Sequence, residues 1–372
     1  MIHLSPIHKK NLTQILPFGV IWLVIGWLTL WTEYAVIASL DEKNTPETAI
    51  TITPVIFIFA SLSVFLIGCL VGVLEVSVMN RFFKQSSFPK KIFGKSIVYA
   101  LFLFVVIFVF YMLAASIEMK LSVVHEKVFN RYVEFLFSMT NISTSIQIAF
   151  SLVVSLLFAE ISNNIGQNVL INFFTGKYHK PVVERRVFMF TDMKDSTSIA
   201  EKLGHYKYFN YLRSYYNDLS RSIVNNYGEV YQYIGDEIVI SWNTKKKDSA
   251  EKSVRCFFDM KKELAKKREH YLKEYGLFPD FKAGLHIGEV TTGEIGALKK
   301  DIFFTGDVLN TTARIQGLCK SFERDLLSSE DFISELNSAD FKPIPIGEFH
   351  LKGKQKKLHL FAIEITETSQ SE

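Results

Sequence analysis

Long apolar runs fill the first 160 residues of the chain, whereas the remainder mixes charged and apolar positions as globular domains do. Four of these runs carry no charged side chain, and each is long enough to cross a bilayer, which takes about 20 apolar residues. We predict spans near residues 14–34, 53–75, 96–116 and 140–160, and thus a bundle of four transmembrane helices over residues 1–160. Buried core helices are the alternative, which four such runs in succession disfavour. The runs are Asn11–Thr32, Thr48–Leu74, Ser96–Ile117 and Phe135–Ala159.

The distribution of Lys and Arg predicts the orientation of this bundle, because cytoplasmic loops carry an excess of both. The loop between the first two spans holds only Lys43, whereas the amino-terminal tail carries Lys9 and Lys10. We therefore expect a multi-pass protein of the cell (inner) membrane, with the lipid bilayer as a partner and both termini in the cytoplasm. No charged residue lies inside the four apolar runs, which argues against a transporter. The loop between the second and third spans holds Arg81, Lys84, Lys90, Lys91 and Lys95.

Residues 161–183 connect the two halves of the chain. Apolar side chains recur there at the spacing of a helix face, although Gly166 weakens that pattern, and Pro181 closes the segment. We predict a helical connector that lies beside its counterpart in a homodimer. A plain spacer is the open alternative. The apolar positions are Ile165, Val169, Ile171 and Phe174.

Residues 184–366 alternate between strand-like and helix-like patterns, and a polar tail follows at 367–372. The stretch "RRVFMFTD" predicts a strand and is followed by a long helix. "EVYQYIGDEIVISW" predicts a hairpin that turns at Gly235 and Asp236, since Gly in the first turn position suits a type II′ turn. An amphipathic helix, a second hairpin in "FKAGLHIGEVTTGEIG", a strand leading into a helix, and a final strand pair complete the order. This order predicts an α+β domain with an antiparallel sheet and flanking helices.

Two carboxylates follow buried strands in this half. Asp192 ends the first strand, and Asp236 lies at the tip of the first hairpin. If the two strands are neighbours, both side chains converge at one edge, where hard oxygen ligands suit Mg²⁺ together with substrate phosphates. The backbone of residues 193–197 then turns into a helix, whose first N–H groups favour a phosphate chain. Alternatively, Asp195 is a helix N-cap and Asp236 an ordinary turn residue.

Four motifs in this half resemble those of the class III nucleotidyl cyclases. "FTDMKDST" and "YIGDEI" are similar to the two metal motifs of that family, with Asp192 and Asp236 in the ligand positions. "GDVLNTTAR" resembles the segment that carries transition-state residues, and places Asn310 and Arg314 four residues apart on one helix face. "LKGK" resembles the segment whose lysine binds the terminal phosphates, here Lys352. The order and spacing of all four make the resemblance specific.

The resemblance implies a ferredoxin-like sheet and a two-metal reaction with Mg²⁺ (or Mn²⁺), in which the ribose 3′-oxygen attacks the α-phosphorus and pyrophosphate leaves. Arg314 would stabilise charge on the α-phosphate, Asn310 would orient the ribose, and Lys352 would hold the pyrophosphate. In this family the metal aspartates come from one domain and the Asn, Arg and Lys from another, which implies a homodimer with shared sites. The substrate phosphates would lie along Met193, Lys194, Asp195, Ser196 and Thr197.

The sequence departs from the family at the positions that select the base. Many ATP-using members carry a lysine where this chain has Gln232, and an Asp or Thr where it has Phe303. Gln both donates and accepts hydrogen bonds and is compatible with adenine or guanine, whereas Phe cannot hydrogen-bond a base. A shift of one or two residues would bring Thr305 or Asp301 to the base instead.

The sequence therefore predicts a membrane-anchored enzyme, with a cytoplasmic catalytic domain, that converts ATP to cyclic AMP. Production of cyclic GMP from GTP and a non-catalytic nucleotide-binding sensor are the alternatives. The formal net charge of +4 gives no indication of nucleic-acid binding. The three cysteines show no spacing of a metal site or disulfide framework.

Overall fold

The computed structural model describes residues 6–37, 53–79, 82–83, 88–165, 170, 172, 175–298, 300–350 and 357–366. The chain divides into two compact units, one from His8 to Ile171 and one built from the chain after Ile171. Several positions named above lie outside the residues whose side chains are described. They are most of the basic loop of residues 80–92, the apolar connector positions after Ile165, the polar tail, Lys43 and Lys352.

The first unit is helical. Four of its helices are long and apolar enough to cross a membrane, with candidate spans at Asn11–Thr32, Pro54–Met79, Phe93–Met119 and Asn141–Asn163. The prediction of four apolar helices in this part of the chain is confirmed. The helices are α1 (Pro6–Ile37), α2 (Pro54–Leu74, continued by a π-helical turn at Glu75–Met79), α3 (Phe88–Met119), α4 (Glu126–Leu136) and α5 (Met139–Ile165).

Close packing of α1 against α2 requires a glycine. A Cβ atom at Gly68 would lie 2.8 Å from the carbonyl oxygen of Phe18 and 2.9 Å from the side chain of Trp22. Small residues let apolar helices approach in this way, because lipid tails give them no hydrophobic driving force to associate. Phe18 and Trp22 are both almost fully buried as a result.

The candidate spans contain ionisable side chains, contrary to the expectation from the apolar runs. Glu75 is 1% exposed at the start of the π-helical turn of α2. Tyr99 of α3 donates a hydrogen bond of 2.6 Å to Glu75, and the ammonium of Lys95 pairs with the same carboxylate. The apolar runs end at these charges, but the helices continue through them because each charge has a partner on the facing helix.

The second unit is an α+β domain. Its element order follows the predicted one in outline, but a strand at Leu326–Ser329 and a short helix at Glu330–Ile333 were not predicted, the first strand of the final pair lies earlier, at Phe341–Phe349, and two further differences are described below. The elements are β1 (Val182–Met193), α6 (Ser196–Asn225), β2 (Glu229–Ile234), β3 (Glu237–Asn243), α7 (Ser249–Lys266), α8 (Arg268–Tyr275), β4 (Phe281–Ile295), β5 (Asp301–Thr305), α9 (Asp307–Leu318), β6 (Leu326–Ser329), α10 (Glu330–Ile333), β7 (Phe341–Phe349) and β8 (Leu358–Ile365).

These strands form one mixed sheet in the order β2-β3-β1-β4-β6-β8-β7, with β5 paired to β4. Every pairing is antiparallel except that of β4 with β6. The parallel pair arises because the chain crosses over between these strands through α9, as parallel neighbours require. The predicted antiparallel sheet is therefore correct for all pairs but this one.

The second predicted hairpin is wrong, since "FKAGLHIGEVTTGEIG" forms the single long strand β4. All twelve residues of β1 pair with it, from Val182 opposite Thr292 to Met193 opposite Phe281. This long partner keeps the glycines within β4 extended, whereas the sequence suggested that they turn the chain. The predicted amphipathic helix is divided into α7 and α8 at Lys267.

The two faces of the sheet carry separate apolar cores. Val187 and Met189 of β1 contribute to a large core with α6, α7 and α8. Phe188 and Phe190, which alternate with them, pack with residues of β5 and α9 on the opposite face. Alternation along β1 therefore buries both faces of the strand and fixes the direction in which its last polar residues point.

Candidate functional site

Asp192 and Asp236 converge at one edge of the sheet, as the sequence predicts. Asp192 is the second-last residue of β1, and β3 pairs with β1 up to Thr191 opposite Ile238. Asp236 lies two residues before Ile238, in a two-residue turn whose Gly235 has φ 62°. This turn and the β1–β3 register bring the two carboxyl groups close enough for each charge to affect the other.

The pair concentrates negative charge in a partly desolvated place. Burial raises the pKa of Asp236, and the adjacent Asp192 adds to this, although a hydrogen bond from Ser196 acts in the opposite direction. Burial, together with the two aspartates, also raises the pKa of Glu237 to about 7. One carboxylate oxygen of Asp236, Oδ2, is buried without a hydrogen-bond donor among the described residues. Hard oxygen donors with an unsatisfied buried oxygen fit a divalent cation.

Two residues that sequence reasoning missed hold Asp192. Gln316 of α9 donates from Nε2 to Asp192 Oδ2 over 3.1 Å, and Lys282 of β4 places its ammonium 3.4 Å from the same oxygen. Lys282 lies opposite Asp192 in the β1–β4 ladder. Neither was recognisable without that register, because both are far from Asp192 in sequence. No group of three or more His, Cys, Asp or Glu suited to a metal occurs in the described part of the chain.

The predicted phosphate-binding segment begins α6 beside this pair. Ile199 makes the first intrahelical bond, to the carbonyl of Asp195 over 3.0 Å, so the N–H groups of Ser196 and Thr197 precede the regular ladder. Asp195 occupies the N-cap position with φ 55° but its side chain makes no capping hydrogen bond. Asp195 therefore has the position of a helix cap, as the alternative predicts, but does not make the hydrogen bond of one. Ser196 lies close enough to Asp236 to lower the pKa of its carboxyl group, which places the helix start beside the carboxylates.

Two side chains of this segment point elsewhere. Met193 is 2% exposed in the core against α6 and α7. Lys194 forms ion pairs with Asp280 at 2.7 Å and Asp325 at 2.5 Å, and its backbone N–H donates to the carbonyl of Asp280. Within this segment, the backbone after Lys194 and the side chain of Ser196 therefore remain beside the carboxylate pair.

Helix α9 presents its two sides to different surroundings. Asn310 is exposed and Arg314 half-buried, whereas Thr311, Thr312 and Ile315 face the sheet. At 100° per residue, Arg314 and Gln316 lie about 160° apart around the helix. Gln316 reaches Asp192 of its own chain, so Asn310 and Arg314 point away from the carboxylates that Gln316 contacts.

A glycine sets how closely α9 approaches the sheet. A Cβ atom at Gly284 of β4 would lie 2.5 Å from the backbone nitrogen of Gln316 and 2.8 Å from the carbonyl oxygen of Thr312. Both are backbone atoms, so a larger residue would displace the helix as a whole. This contact therefore sets how closely the Gln316 side of α9 approaches the sheet, while the helix period places Arg314 on the other side.

The predicted base-selecting residues lie on exposed strand positions. Gln232, Phe303 and Thr305 are all exposed. Their inward neighbours contact each other, since the ring centroids of Tyr231 and Phe304 are 4.7 Å apart and the Phe304 N–H donates to the Tyr231 hydroxyl. These contacts hold β2 and β5 close together, which leaves the outward side chains of both strands available at one part of the surface.

The buried Arg186 packs against the Phe304 ring of this contact. Its guanidinium lies 4.9 Å from the centre of the Phe304 ring and pairs with Glu184 at 3.1 Å and with Glu229. Arg186 is 2% exposed, and burying a charge is tolerated when it is paired in this way. Arg186 thereby fixes the ring whose neighbour is Phe303.

Comparison with known proteins identifies the part of the chain that carries this site. Residues 180–364 match the family model described as the adenylate and guanylate cyclase catalytic domain. The chain is 34% identical over 200 residues to "Adenylate cyclase 2" of Rhizobium meliloti (strain 1021), a match that covers 54% of this chain and 55% of that protein. It is 27% identical over 181 residues to "Adenylate cyclase 1" of the same strain, covering 47% of this chain and 27% of that protein.

A solved structure shares the fold. The structure of a bacterial light-regulated adenylyl cyclase superposes with a TM-score of 0.51 at 21% identity, covering 59% of this chain and 65% of that one. The chain matches only about half of the length of the first relative, and less of the second. The matched region contains every described residue of the candidate site.

Proposed function

Because the chain belongs to the class III adenylate and guanylate cyclases through its residues 180–364, we propose that it is a membrane-anchored adenylate cyclase that converts ATP to cyclic AMP and pyrophosphate. The observation that carries the proposal is the convergence of Asp192 and Asp236 beside the start of α6. Identity to adenylate cyclases supports ATP as the substrate. We propose domains at 1–160 (membrane), 161–183 (connector), 184–366 (catalytic) and 367–372 (tail).

The roles of the residues follow from their chemistry. Asp192 and Asp236 would hold two Mg²⁺ (or Mn²⁺) ions, which when bound neutralise phosphate charge and promote ionisation of the ribose hydroxyl. Ser196 and Thr197 would place their N–H groups toward the phosphates at the start of α6. Arg314 would stabilise the charge that develops on the α-phosphate, and Asn310 would orient the ribose. We retain Lys352 as the residue that holds the leaving pyrophosphate.

We propose a homodimer because one chain does not bring the two sets of groups together. Asn310 and Arg314 face away from the carboxylates of their own chain, as the phase of α9 shows. A two-fold dimer would place the Asn310 side of one α9 opposite the carboxylates of the other chain, twice. The shared-site arrangement that the sequence implies is thus supported by the direction of these side chains.

We also propose that four spans anchor the enzyme in the inner membrane, with both termini and the catalytic domain in the cytoplasm. The support is the set of four apolar helices and the basic loop between the second and third of them. Protease accessibility of the carboxyl terminus from the cytoplasmic side would agree with this orientation, whereas accessibility from the outside would contradict it.

An activity assay on the full-length chain in detergent or vesicles tests the proposed reaction. ATP and GTP are supplied separately with Mg²⁺ or Mn²⁺, and cyclic nucleotide and pyrophosphate are measured together. We expect equal amounts of cyclic AMP and pyrophosphate from ATP. Preference for GTP would move the assignment to cyclic GMP, for which Gln232 in place of a lysine is the specific reason. Nucleotide binding without either product would favour the non-catalytic alternative.

A further inference from the structure

The short helix α4 connects the third and fourth candidate spans and has an unusual distribution of side chains. Its apolar positions cover a sector about 160° wide, counted at 100° per residue, and its charged positions cover most of the rest. Val128, Tyr132 and Phe135 occupy one half of the apolar sector and are buried. Phe129 and Val133 occupy the other half and are 48% and 37% exposed.

The buried half of this sector packs on α3. The rings of Tyr111 and Phe135 stack with centroids 4.2 Å apart, and Tyr132 lies edge-on to Phe108 at 4.9 Å. Phe108 and Tyr111 belong to the candidate span Phe93–Met119. Phe108 lies about 16 Å along the helix axis from Met119, at 1.5 Å per residue. Helix α4 therefore folds back onto the last turns of a span rather than projecting from it.

Both ends of α4 are tethered to spans. Six residues separate Met119 from Glu126, and two separate Leu136 from Met139. Arg131, a partly buried cation of α4, forms an ion pair with Glu118 of α3 at 3.0 Å. Its charge is therefore compensated where α4 packs on the apolar span. Short connections and this pairing keep the helix beside the spans.

We propose that α4 lies in the plane of the membrane at the interface opposite the catalytic domain, with Phe129 and Val133 inserted among the lipids. The inference rests on the proposed membrane anchoring and adds to it a lipid-binding surface between the third and fourth spans. Phe108, the span residue that Tyr132 contacts, is itself 36% exposed, and the candidate spans carry many further exposed apolar side chains, which makes lipid the occupant of this surface. Amphipathic helices bind interfaces through such an apolar sector.

The charges of α4 specify which lipids the surface fits. Its exposed polar side carries Glu126, Lys127, Asn130 and Glu134, so acidic side chains outnumber basic ones there. Anionic headgroups are attracted by clusters of Lys and Arg, which this side lacks. The surface therefore suits zwitterionic lipid, and insertion depends on apolar area rather than on headgroup charge.

Site-directed spin labelling of the full-length chain in phosphatidylcholine nanodiscs tests the proposal. Single cysteines replace Phe129 and Val133, with Asn130→Cys and Glu134→Cys as matched controls on the polar side, in a Cys69→Ser background. Leu101→Cys on α3 and Tyr206→Cys on α6 provide lipid and water references, since both side chains are highly exposed. Accessibility to dissolved oxygen and to a water-soluble nickel chelate is measured at each position.

We expect labels at 129 and 133 to lie between the two references, with higher oxygen and lower nickel accessibility than labels at 130 and 134, which should match Tyr206. Partial replacement of phosphatidylcholine by phosphatidylglycerol should leave these values unchanged. Nickel accessibility at 129 and 133 with a normal Leu101 reference would overturn the proposal while the spans stand. Exclusion of both reagents would overturn it in favour of a protein contact. A water-like Leu101 label would instead refute the membrane anchoring itself, and the proposal with it.

Discussion

The two sides of α9 differ in what they contact, although they belong to one short helix. The inner side packs on β4 and sends Gln316 to Asp192, so it completes the carboxylate cluster within the chain. The outer side presents Asn310 and Arg314 to the surroundings. The groups that the proposed reaction needs thus lie on opposite sides of a helix about 10 Å across. This difference is the reason for the proposal that each chain contributes two half-sites and that a second chain completes them.

The largest effect is expected at the carboxylates. Asp192→Ala or Asp236→Ala removes a hard oxygen ligand and should lower turnover by about 10³-fold or more, because metal charge stabilisation is worth several kcal/mol and each 1.4 kcal/mol or so is a factor of ten. Cyclic AMP formation at saturating Mg²⁺ is the measurement. Asp331→Ala, in an exposed position of α10, serves as the control and should retain activity. Retained activity in either first variant would remove the metal assignment.

Mixing two inactive variants tests the shared site directly. Asp192→Ala chains lack a group on the carboxylate side, and Arg314→Ala chains lack one on the outer side of α9. A mixed dimer contains one site that lacks both groups and one site that is intact, because a two-fold axis repeats the same contact. We expect roughly half of the wild-type activity per mixed dimer, measured after co-expression with two different tags.

The tags allow the mixed dimers to be purified through both affinity steps before the assay. Co-expression of two Asp192→Ala chains with different tags is the matched control and should stay inactive. If verified mixed dimers are as inactive as each variant alone, the site lies within one chain, and the difference between the two sides of α9 has no role in assembly.

A smaller effect is expected when α9 is moved as a whole. Gly284→Ala inserts a methyl group against two backbone atoms of the helix and should destabilise the domain by about 1–3 kcal/mol while lowering activity. Gly317→Ala is the matched control, since its Cβ would meet nothing within 4 Å. There the substitution should be neutral or stabilise the helix by about 0.5–1 kcal/mol. Thermal unfolding and turnover are measured on both, and equal stability of the two variants would contradict the proposed contact.

The smallest effect is expected when only the hydrogen bond from the inner side of α9 to Asp192 is removed. Gln316→Leu removes the hydrogen bond to Asp192, and such supporting partners are worth roughly 10–100-fold in metal affinity. We expect the Mg²⁺ concentration for half-maximal activity to rise by about tenfold, with a smaller change in turnover at saturation. Thr312→Val is the control, since the Thr312 hydroxyl donates to the carbonyl of Val308 on the same side of α9 rather than to Asp192. Unchanged metal dependence in Gln316→Leu would show that Gln316 does not position Asp192.

Local signals in the sequence were sufficient for most of the architecture. The four apolar helices, the turn at Gly235 and Asp236, and the strand leading into α9 all follow from hydrophobic period and turn chemistry over short windows. The wrong or missing predictions have a common cause, since each depends on a neighbouring strand or helix that the local sequence does not specify. Strand β4 stays extended through its first two glycines because β1 pairs with it from Phe281 to Thr292. Helix α4 was not predicted, because its apolar sector is short and becomes significant only where it packs on α3.

Within the site, the residue types were predictable and their directions were not. Asp192 and Asp236 are found together because strand ends and turns are local features, and a short register connects them. Lys194 was expected at the substrate, but the structure directs it to Asp280 and Asp325, which are more than 80 residues away in sequence. Gln316 and Lys282 escaped notice for the same reason. Ion pairs and hydrogen bonds between distant segments leave no local pattern, since they depend on which strands become neighbours.

The sequence by itself therefore determined the two-part organisation, the class of chemistry and the carboxylates, since each rests on side-chain type and spacing along one segment. Tertiary structure alone decided how the segments meet. It places Gln316 on Asp192, leaves Arg314 facing outward and folds α4 back onto a candidate span. The physical reason is that a helix fixes the angles between its own side chains, whereas packing against a neighbour, here permitted by the missing side chain of Gly284, decides which of them points toward the site.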